Sequence, residues 1–253
     1  MQQEYFHCLY GNGTKISKYL INHDKIYAAE IKLGIKTDTA DREGNIIEEK
    51  EVSEDELNEE RVKSVLKSFI GKQEQIPPMY SAIKVNGKKL YEYARRGEQV
   101  EVKPRKIEIY DLKLDKIDLK GNIIKITASV SKGTYIRTLC ENIAEKLGTV
   151  GYMNKLNRIK VGEFEIESAK TIDELENNKD NIKEYLITIE EVFKDKEKII
   201  LDNKTIKGFL NGIKIDCNLN NGICRVYNND NIFIGIANVY EKKAKRDVII
   251  ENS

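Results

Sequence analysis

Arg137 sits in Ser131-Lys132-Gly133-Thr134-Tyr135-Ile136-Arg137-Thr138-Leu139, where a β-type run gives way to helical spacing. Thr134 is placed to cap the helix, whose first N–H groups lack intrahelical partners and whose end carries a positive dipole. An anion fits such an end. A cation in the first turns is disfavoured there, so Arg137 points to a carboxylate or phosphate that answers it. The plainer reading is an exposed arginine.

A second stretch, Gln75–Gly97, interleaves Tyr80, Tyr91 and Tyr93 with Lys84, Lys88, Lys89, Arg95 and Arg96. Aromatics stack on unpaired bases while cations hold phosphates, which is the chemistry of single-stranded RNA binding. A surface helix after a proline turn, with half-buried tyrosines, would look the same. Gly11-Asn12-Gly13-Thr14-Lys15 is a weak phosphate-loop candidate, because it lacks the full G-x-x-x-x-G-K-[ST] spacing and a preceding strand. Gly151–Phe164 mixes apolar and basic residues and reads as helix, turn and strand.

The elements that must position these groups follow from periodicity. Tyr27–Leu33 reads as a strand closed by Gly34. Ser53 and Glu56 make a capping box ahead of a helix whose apolar face is Leu57, Val62, Val65, Leu66, Phe69 and Ile70, stopped by Gly71. Pro77-Pro78 sets a loop over 75–81. Leu90–Arg96 is helical. Lys106–Ile117 and Asn122–Val130 form a hairpin through Lys120-Gly121-Asn122. Tyr135–Leu147 is a helix ending at Gly148. Glu176–Lys183 is a polar surface loop, and short β-type runs fill the chain from about Lys196. The expected fold is α+β: a mixed, largely antiparallel sheet with flanking helices, followed by a small β-rich domain.

The 253 residues are 40% hydrophobic, enough for a real core, with a net charge of +1. No apolar run is long enough to cross a bilayer, and the start has no secretory pattern. Cys8, Cys140, Cys217 and Cys224 form no C-x-x-C pair, and His7 and His23 are the only histidines, so no metal site is expected. The cysteines read as reduced structural thiols in a cytoplasm. Charge is segregated: residues 41–60 hold ten acids against two bases, and residues 82–106 hold eight bases against three acids. Such a split gives a neutral protein one basic face for phosphates, or two solvated surfaces with no partner.

Taken in order, several segments resemble the TruB family of tRNA pseudouridine synthases. They are Lys15 with Asp24-Lys25-x-Tyr27, Ile76-Pro77-Pro78-x-Tyr80-Ser81-Ala82-x-Lys84, Leu90-Tyr91-Glu92-x-Ala94-Arg95, Lys132-Gly133-Thr134-Tyr135-Ile136-Arg137, and Leu156-x-Arg158 with Gly162-x-Phe164. The resemblance covers about residues 8 to 190. It implies a pseudouridine synthase domain over 1–195, and the end of the chain, 196–253, is similar in size and strand pattern to a PUA-like RNA-binding domain.

The resemblance also implies a reaction. A T-loop uridine of tRNA is flipped out, its glycosidic bond is broken with help from an aspartate, and the freed uracil rotates and rejoins the sugar through carbon. No cofactor, metal or membrane is involved, and a cytoplasmic monomer is implied. Tyr27 is the residue implied to stack on the target base and act in proton removal. Arg137 is implied to pair with the catalytic aspartate. Tyr135 and Leu156 would shape the pocket, while Lys15, Tyr80, Lys84, Arg95, Arg96, Lys132 and Arg158 would contact the T-arm or brace the site.

The family's aspartate belongs to a segment of the form G-T-L-D-P, which residues 1–253 do not contain. Aligning Gly11–Lys15 with the family puts that aspartate just before Met1, and residues 1–7 match nothing in it. The expectation is therefore a chain missing its N-terminal part and first strands. It would be inactive as given, with Arg137 unanswered and an open sheet edge prone to aggregate. The alternative is a non-catalytic protein that binds or folds tRNA.

Overall fold

Alternation of side chains along β1 (Lys25–Leu33) buries Tyr27, Ala29, Ile31 and Leu33 and leaves the residues between them half-exposed. The computed structural model describes residues 6–250; Met1–Tyr5, most of the unmatched start, lie outside them. Two compact units form. One is Asn22–Ala169; the other joins His7–Ile21 to the chain from Lys170 onward.

In the first unit β1 is joined by β2 (Gly71–Gln75), β3 (Arg105–Asp118), β4 (Ile123–Val130), β5 (Gly151–Val161) and β6 (Phe164–Glu165). Their order is β6-β5-β1-β4-β3-β2, antiparallel throughout. On β4, Ile124, Ile126, Ala128 and Val130 are buried on the face that Tyr27 shares. Helix α1 (Glu59–Lys67) adds Val62 and Leu66 to the core; α2 is the short helix Leu90–Ala94; α3 (Ile136–Leu147) adds Leu139, Cys140, Ile143, Ala144 and Leu147. Each of the valine, leucine and isoleucine side chains among them contributes about 1.5–3 kcal/mol on burial, and their spacing at i, i+3, i+4 is what makes these segments helices rather than strands.

Four expectations change. Ser53 and Glu56 do bond one another, the Ser53 N–H donating to Glu56 Oε2 at 2.6 Å, but α1 starts later. Asn58 caps it, accepting from Arg61 N at 3.0 Å. The helix also ends at Lys67, so Ile70 is exposed rather than buried. Gly151–Val161 is one continuous strand, because pairing with β1 along its length satisfies its backbone in extended form. Glu176–Lys183 is not a loop: Thr171 and Glu174 make a capping box for a helix over Ile172–Asn177, and a 3-10 turn follows over Lys179–Tyr185.

The second unit carries β7 (Lys198–Leu201), β8 (Ile215–Asp216), β9 (Gly222–Asn228), β10 (Phe233–Tyr240) and β11 (Lys243–Ile249), with helix α4 (Asn203–Leu210). The order is β7-β9-β10-β11-β8; β7 runs parallel to β9 and the other pairs are antiparallel. Phe209 of α4 is fully buried among Leu201, Cys224, Val226, Ala237, Val239 and Ala244. The segment His7–Ile21 belongs here. Lys18 and Tyr19 both bond the Asp247 carboxylate, the Tyr19 ring meets Phe193 edge-on at 5.4 Å, and Lys15 Nζ donates to Ile249 O at 3.2 Å.

Candidate active site

Tyr27 is placed by register. It lies opposite Ala128 on β4 and Arg158 on β5, so a small side chain flanks its ring on one side and a guanidinium on the other. The Arg158 guanidinium sits 5.6 Å from the ring centre, a cation–π arrangement. Leu156 is opposite Ala29 and packs against the core. Tyr27, Leu156 and Arg158 therefore share one face of the sheet.

Arg137 is set by the turn from β4 into α3. Gly133 takes φ +81°, a left-handed conformation that favours glycine. Ser131 is fixed to β3: its N–H donates to Glu108 O and its hydroxyl accepts from Glu108 N, both at 2.8 Å. Thr134 does not cap α3; its hydroxyl donates back to Ser131 O at 2.9 Å. The buried Gln75 side chain takes hold instead, accepting from Tyr135 N at 2.8 Å and donating to Tyr135 O at 3.1 Å. The first residue before the helix is thus clamped at both backbone groups.

From that helix the Arg137 guanidinium reaches two loops. Nη1 donates to Asp41 Oδ2 at 2.9 Å and Thr39 O at 3.2 Å, and Nη2 donates to Tyr80 O at 2.7 Å. The expected unanswered charge is therefore answered, by Asp41. Asp41 is itself oriented: Oδ1 accepts from Thr39 Oγ1 at 2.7 Å and Glu43 N at 3.1 Å, and its carbonyl accepts from Thr37 Oγ1 at 2.7 Å. Ala40 O accepts from Met153 N at 3.0 Å, which fastens the loop to β5. Next to Tyr80, the Ser81 hydroxyl is buried with no hydrogen-bond partner.

The basic stretch forms a small module. Lys84–Val85 and Lys88–Lys89 pair across Asn86-Gly87, both at positive φ, as a two-residue hairpin requires. In α2, Leu90 and Tyr93 are buried, and Tyr93 OH donates to Val85 O at 3.1 Å. Tyr93 is thus a core residue of the module. Tyr91 is half-buried under two cations, Lys89 at 5.3 Å and Arg95 at 5.4 Å from its ring centre. Lys84, Arg95 and Arg96 are exposed, and Arg96 lies 3.9 Å from Glu98. Lys15 belongs to the other unit. Among the described residues no cluster of histidine, cysteine, aspartate and glutamate could hold a metal ion, and no helix is long and apolar enough to cross a membrane.

Asp41 and Gln75 were not visible as site residues in the sequence. Asp41 is one of ten acids in an acidic run, and nothing in composition separates it from the exposed ones. Gln75 has a local signal, since it stands just before Pro77-Pro78 where a strand must end, but its partner at Tyr135 is remote.

The N-terminal domain of TruB family pseudouridylate synthases matches residues 6–136, and the C-terminal domain of tRNA pseudouridylate synthase B matches residues 137–197. The tRNA pseudouridine synthase B of Caldanaerobacter subterraneus subsp. tengcongensis is 41% identical over 89% of this chain and 77% of its own length. That of Clostridium tetani is 41% identical over 90% and 78%, and that of Oceanobacillus iheyensis 43% over 83% and 70%. Among solved structures, a chain of a Cbf5–Nop10–Gar1 complex superposes with a TM-score of 0.61 at 17% identity, covering 96% of this chain and 69% of that one. A chain of an H/ACA RNP bound to a substrate RNA containing 2'-deoxyuridine gives 0.61 at 17%, covering 95% and 70%. At that identity the likeness carries the fold: an antiparallel pseudouridine synthase sheet with flanking helices, and a small β-rich unit of the PUA-like kind. With two family domains spanning residues 6–197 and relatives at about 40% identity over most of both chains, the chain belongs to the TruB family of pseudouridylate synthases.

Proposed function

We propose that the chain binds the T-arm of tRNA and receives its T-loop uridine, flipped out of the stack, against Tyr27 for isomerisation to pseudouridine. The observation that carries this is the single guanidinium of Arg137 joining α3, the Asp41 loop and the proline loop at Tyr80, within a family whose named relatives are tRNA pseudouridine synthases. Arg137 thereby holds two loops that would border the flipped base. Tyr27 stacks on the uracil, Tyr135 and Leu156 shape its pocket, and Tyr80, Lys84, Arg95, Arg96, Lys132, Arg158 and Lys15 hold RNA through stacking and phosphate contacts. The protein works as a cytoplasmic monomer without metal or cofactor, in a synthase domain over 1–195 with a PUA-like domain over 196–253. The open edge of its sheet makes it prone to aggregate.

Breaking the glycosidic bond needs a carboxylate at the sugar, and residues 1–253 hold no G-T-L-D-P segment to supply it. Asp41 is already bonded to Arg137, Thr39 and Glu43. The polypeptide as given therefore binds RNA without turning it over. The second reading is a tRNA-binding or tRNA-folding protein with no catalysis, which the exposed cations Lys84, Arg95 and Arg96 would serve equally well. The test is binding of a T-arm stem-loop as a function of salt. Affinity should fall steeply as salt rises, with a log–log slope of about −0.7 to −0.9 for each phosphate neutralised. Salt-independent binding, or none at low salt, would refute an RNA role.

A further inference from the structure

The hairpin of the basic module turns on Asn86-Gly87, one of four Asn-Gly pairs in the chain; the others are Asn12-Gly13, Asn211-Gly212 and Asn221-Gly222. Asparagine before glycine is prone to cyclise, because no Cβ shields the glycine amide from the asparagine side chain. The other three pairs are restrained. Gly13 N–H donates to Tyr10 O and Gly212 N–H to Phe209 O, both at 2.9 Å, and Asn221 Oδ1 accepts from Glu241 N at 2.9 Å. Asn86 and Gly87 are exposed, and among the described residues no hydrogen bond engages the Asn86 side chain or the Gly87 N–H. The space where a Cβ would stand on Gly87 is open. Ring closure needs an Asn86 backbone conformation unlike that of the turn, so the hairpin must first open. Its ladder is two residue pairs long, and one pair sets Lys84 opposite Lys89, like charges that weaken it.

We propose that Asn86 is a modification site, converted spontaneously to aspartate and isoaspartate through a succinimide with Gly87, and that the carboxylate so formed lowers the affinity of the basic module for RNA. The Gly87 N–H gives its proton to base, and the nitrogen attacks Asn86 Cγ. The new C–N bond closes a five-membered imide as the side-chain nitrogen leaves as ammonia. Water then adds to one of the two imide carbonyls and breaks its bond to the Gly87 nitrogen. Cleavage at Cγ gives aspartate; cleavage at the main-chain carbonyl gives isoaspartate, with the chain running through Cγ. One water enters, one ammonia leaves, and nothing is oxidised or reduced. Lys84, Lys88 and Lys89 border the turn, and their charge favours the anionic nitrogen and the oxyanion that follows. The product sets a carboxylate among cations read above as phosphate contacts. Isoaspartate also lengthens the backbone of a two-residue turn, which disturbs the pairing register that the turn fixes. The chemistry stands apart from the RNA reading; the loss of affinity rests on it.

The experiment ages the full chain at mildly alkaline pH and follows both products by peptide mapping, with isoaspartate recognised by an isoaspartyl methyltransferase. Binding of the T-arm stem-loop at low salt is measured alongside. Asn86 should be converted severalfold faster than Asn12, Asn211 and Asn221. Asn86→Asp should bind the RNA about five- to tenfold more weakly, with a log–log salt slope shallower by about 0.7–0.9 for one phosphate contact forfeited. Its melting curve should be unchanged, since Asp-Gly suits the same turn. Asn86→Gly keeps the turn as Gly-Gly and should hold its affinity on ageing. Equal conversion at all four asparagines would refute the proposal, as would Asn86→Asp binding as tightly as the parent, or aged Asn86→Gly losing as much affinity as the aged parent. Failure of the fresh parent to bind the stem-loop would instead overturn the RNA-binding reading, and the affinity half of the proposal with it, while the peptide map still decides the modification.

Discussion

Arg137 and Asp41 are separated by 96 positions and meet at 2.9 Å, Nη1 to Oδ2. Their side chains are 23% and 15% exposed, so the pair is largely but not wholly shielded from water. The same guanidinium binds Tyr80 O, which makes the pair the junction of a helix and two loops.

Breaking that junction should cost stability. Removing one partner of a fully buried pair costs roughly 3–5 kcal/mol, and the residual exposure here reduces this to about 2 kcal/mol for Asp41→Asn. Urea unfolding of Asp41→Ala, Arg137→Ala and the double variant should give a coupling of at least about 1 kcal/mol. Additive effects would mean that the ion pair is incidental.

The Gln75 clamp on Tyr135 makes a local prediction. Gln75→Ala leaves the Tyr135 N–H without its partner, while Tyr135 O keeps the bond from Leu139 N, at a cost of about 1–3 kcal/mol. The Tyr135 amide should lose protection from hydrogen exchange before the interior of α3 does. Equal protection in parent and variant would show that another group holds the turn.

Glu141, one turn beyond Arg137 on α3, has its carboxyl held above the usual glutamate range. Burial is the main cause and Glu145 adds to it, while Lys36 and Arg137 oppose. Its folded pKa exceeds its unfolded one, so the folded state binds the proton more readily and stability falls as pH rises through that window. The penalty is complete once pH exceeds the folded pKa and is absent below the ordinary glutamate value. Glu141→Gln should therefore raise the melting temperature on the alkaline side of that window, with the gain shrinking as pH falls through the raised pKa and gone once pH is below the ordinary glutamate value. A destabilising Glu141→Gln on the alkaline side would contradict this.

Asp247 titrates the other way. Burial pushes its carboxyl up, but hydrogen bonds from Lys18 and Tyr19 outweigh that and hold it below the usual aspartate range. A depressed carboxylate contributes stability above its unfolded pKa and loses it as pH falls through the folded one. Acid, or Asp247→Asn at neutral pH, should loosen His7–Ile21 within its unit. Faster tryptic cleavage after Lys15 and Lys18 reports this, and unchanged rates would refute it.

Much of the scaffold was legible from periodicity. Alternation in Tyr27–Leu33 and Asn122–Val130 and the helical spacing of Tyr135–Leu147 correspond to β1, β4 and α3. Gly151–Val161 was misread because a strand carrying basic residues at irregular positions shows no clean period 2, and only its pairing with β1 makes it extended. The start of α1 was displaced because two good cap sequences, Ser53 and Asn58, stand close together and local chemistry does not rank them. The answer to Arg137 was unreadable for a different reason: an acid drawn from a crowded acidic run becomes a partner only through tertiary contact.

The proposed role of Tyr27, receiving a T-loop uridine, needs a carboxylate that no G-T-L-D-P segment within residues 1–253 supplies. It is tested most directly by carbodiimide detection of pseudouridine in a T-arm stem-loop. The 253-residue chain would be compared with the same chain preceded by a family-type segment carrying G-T-L-D-P, in preparations free of host enzyme. Both should bind the RNA, only the extended chain should form pseudouridine, and Tyr27→Ala in the extended chain should abolish product while leaving binding within a few-fold. Pseudouridine from the 253-residue chain alone, or an extended chain that binds but forms none, would contradict the account.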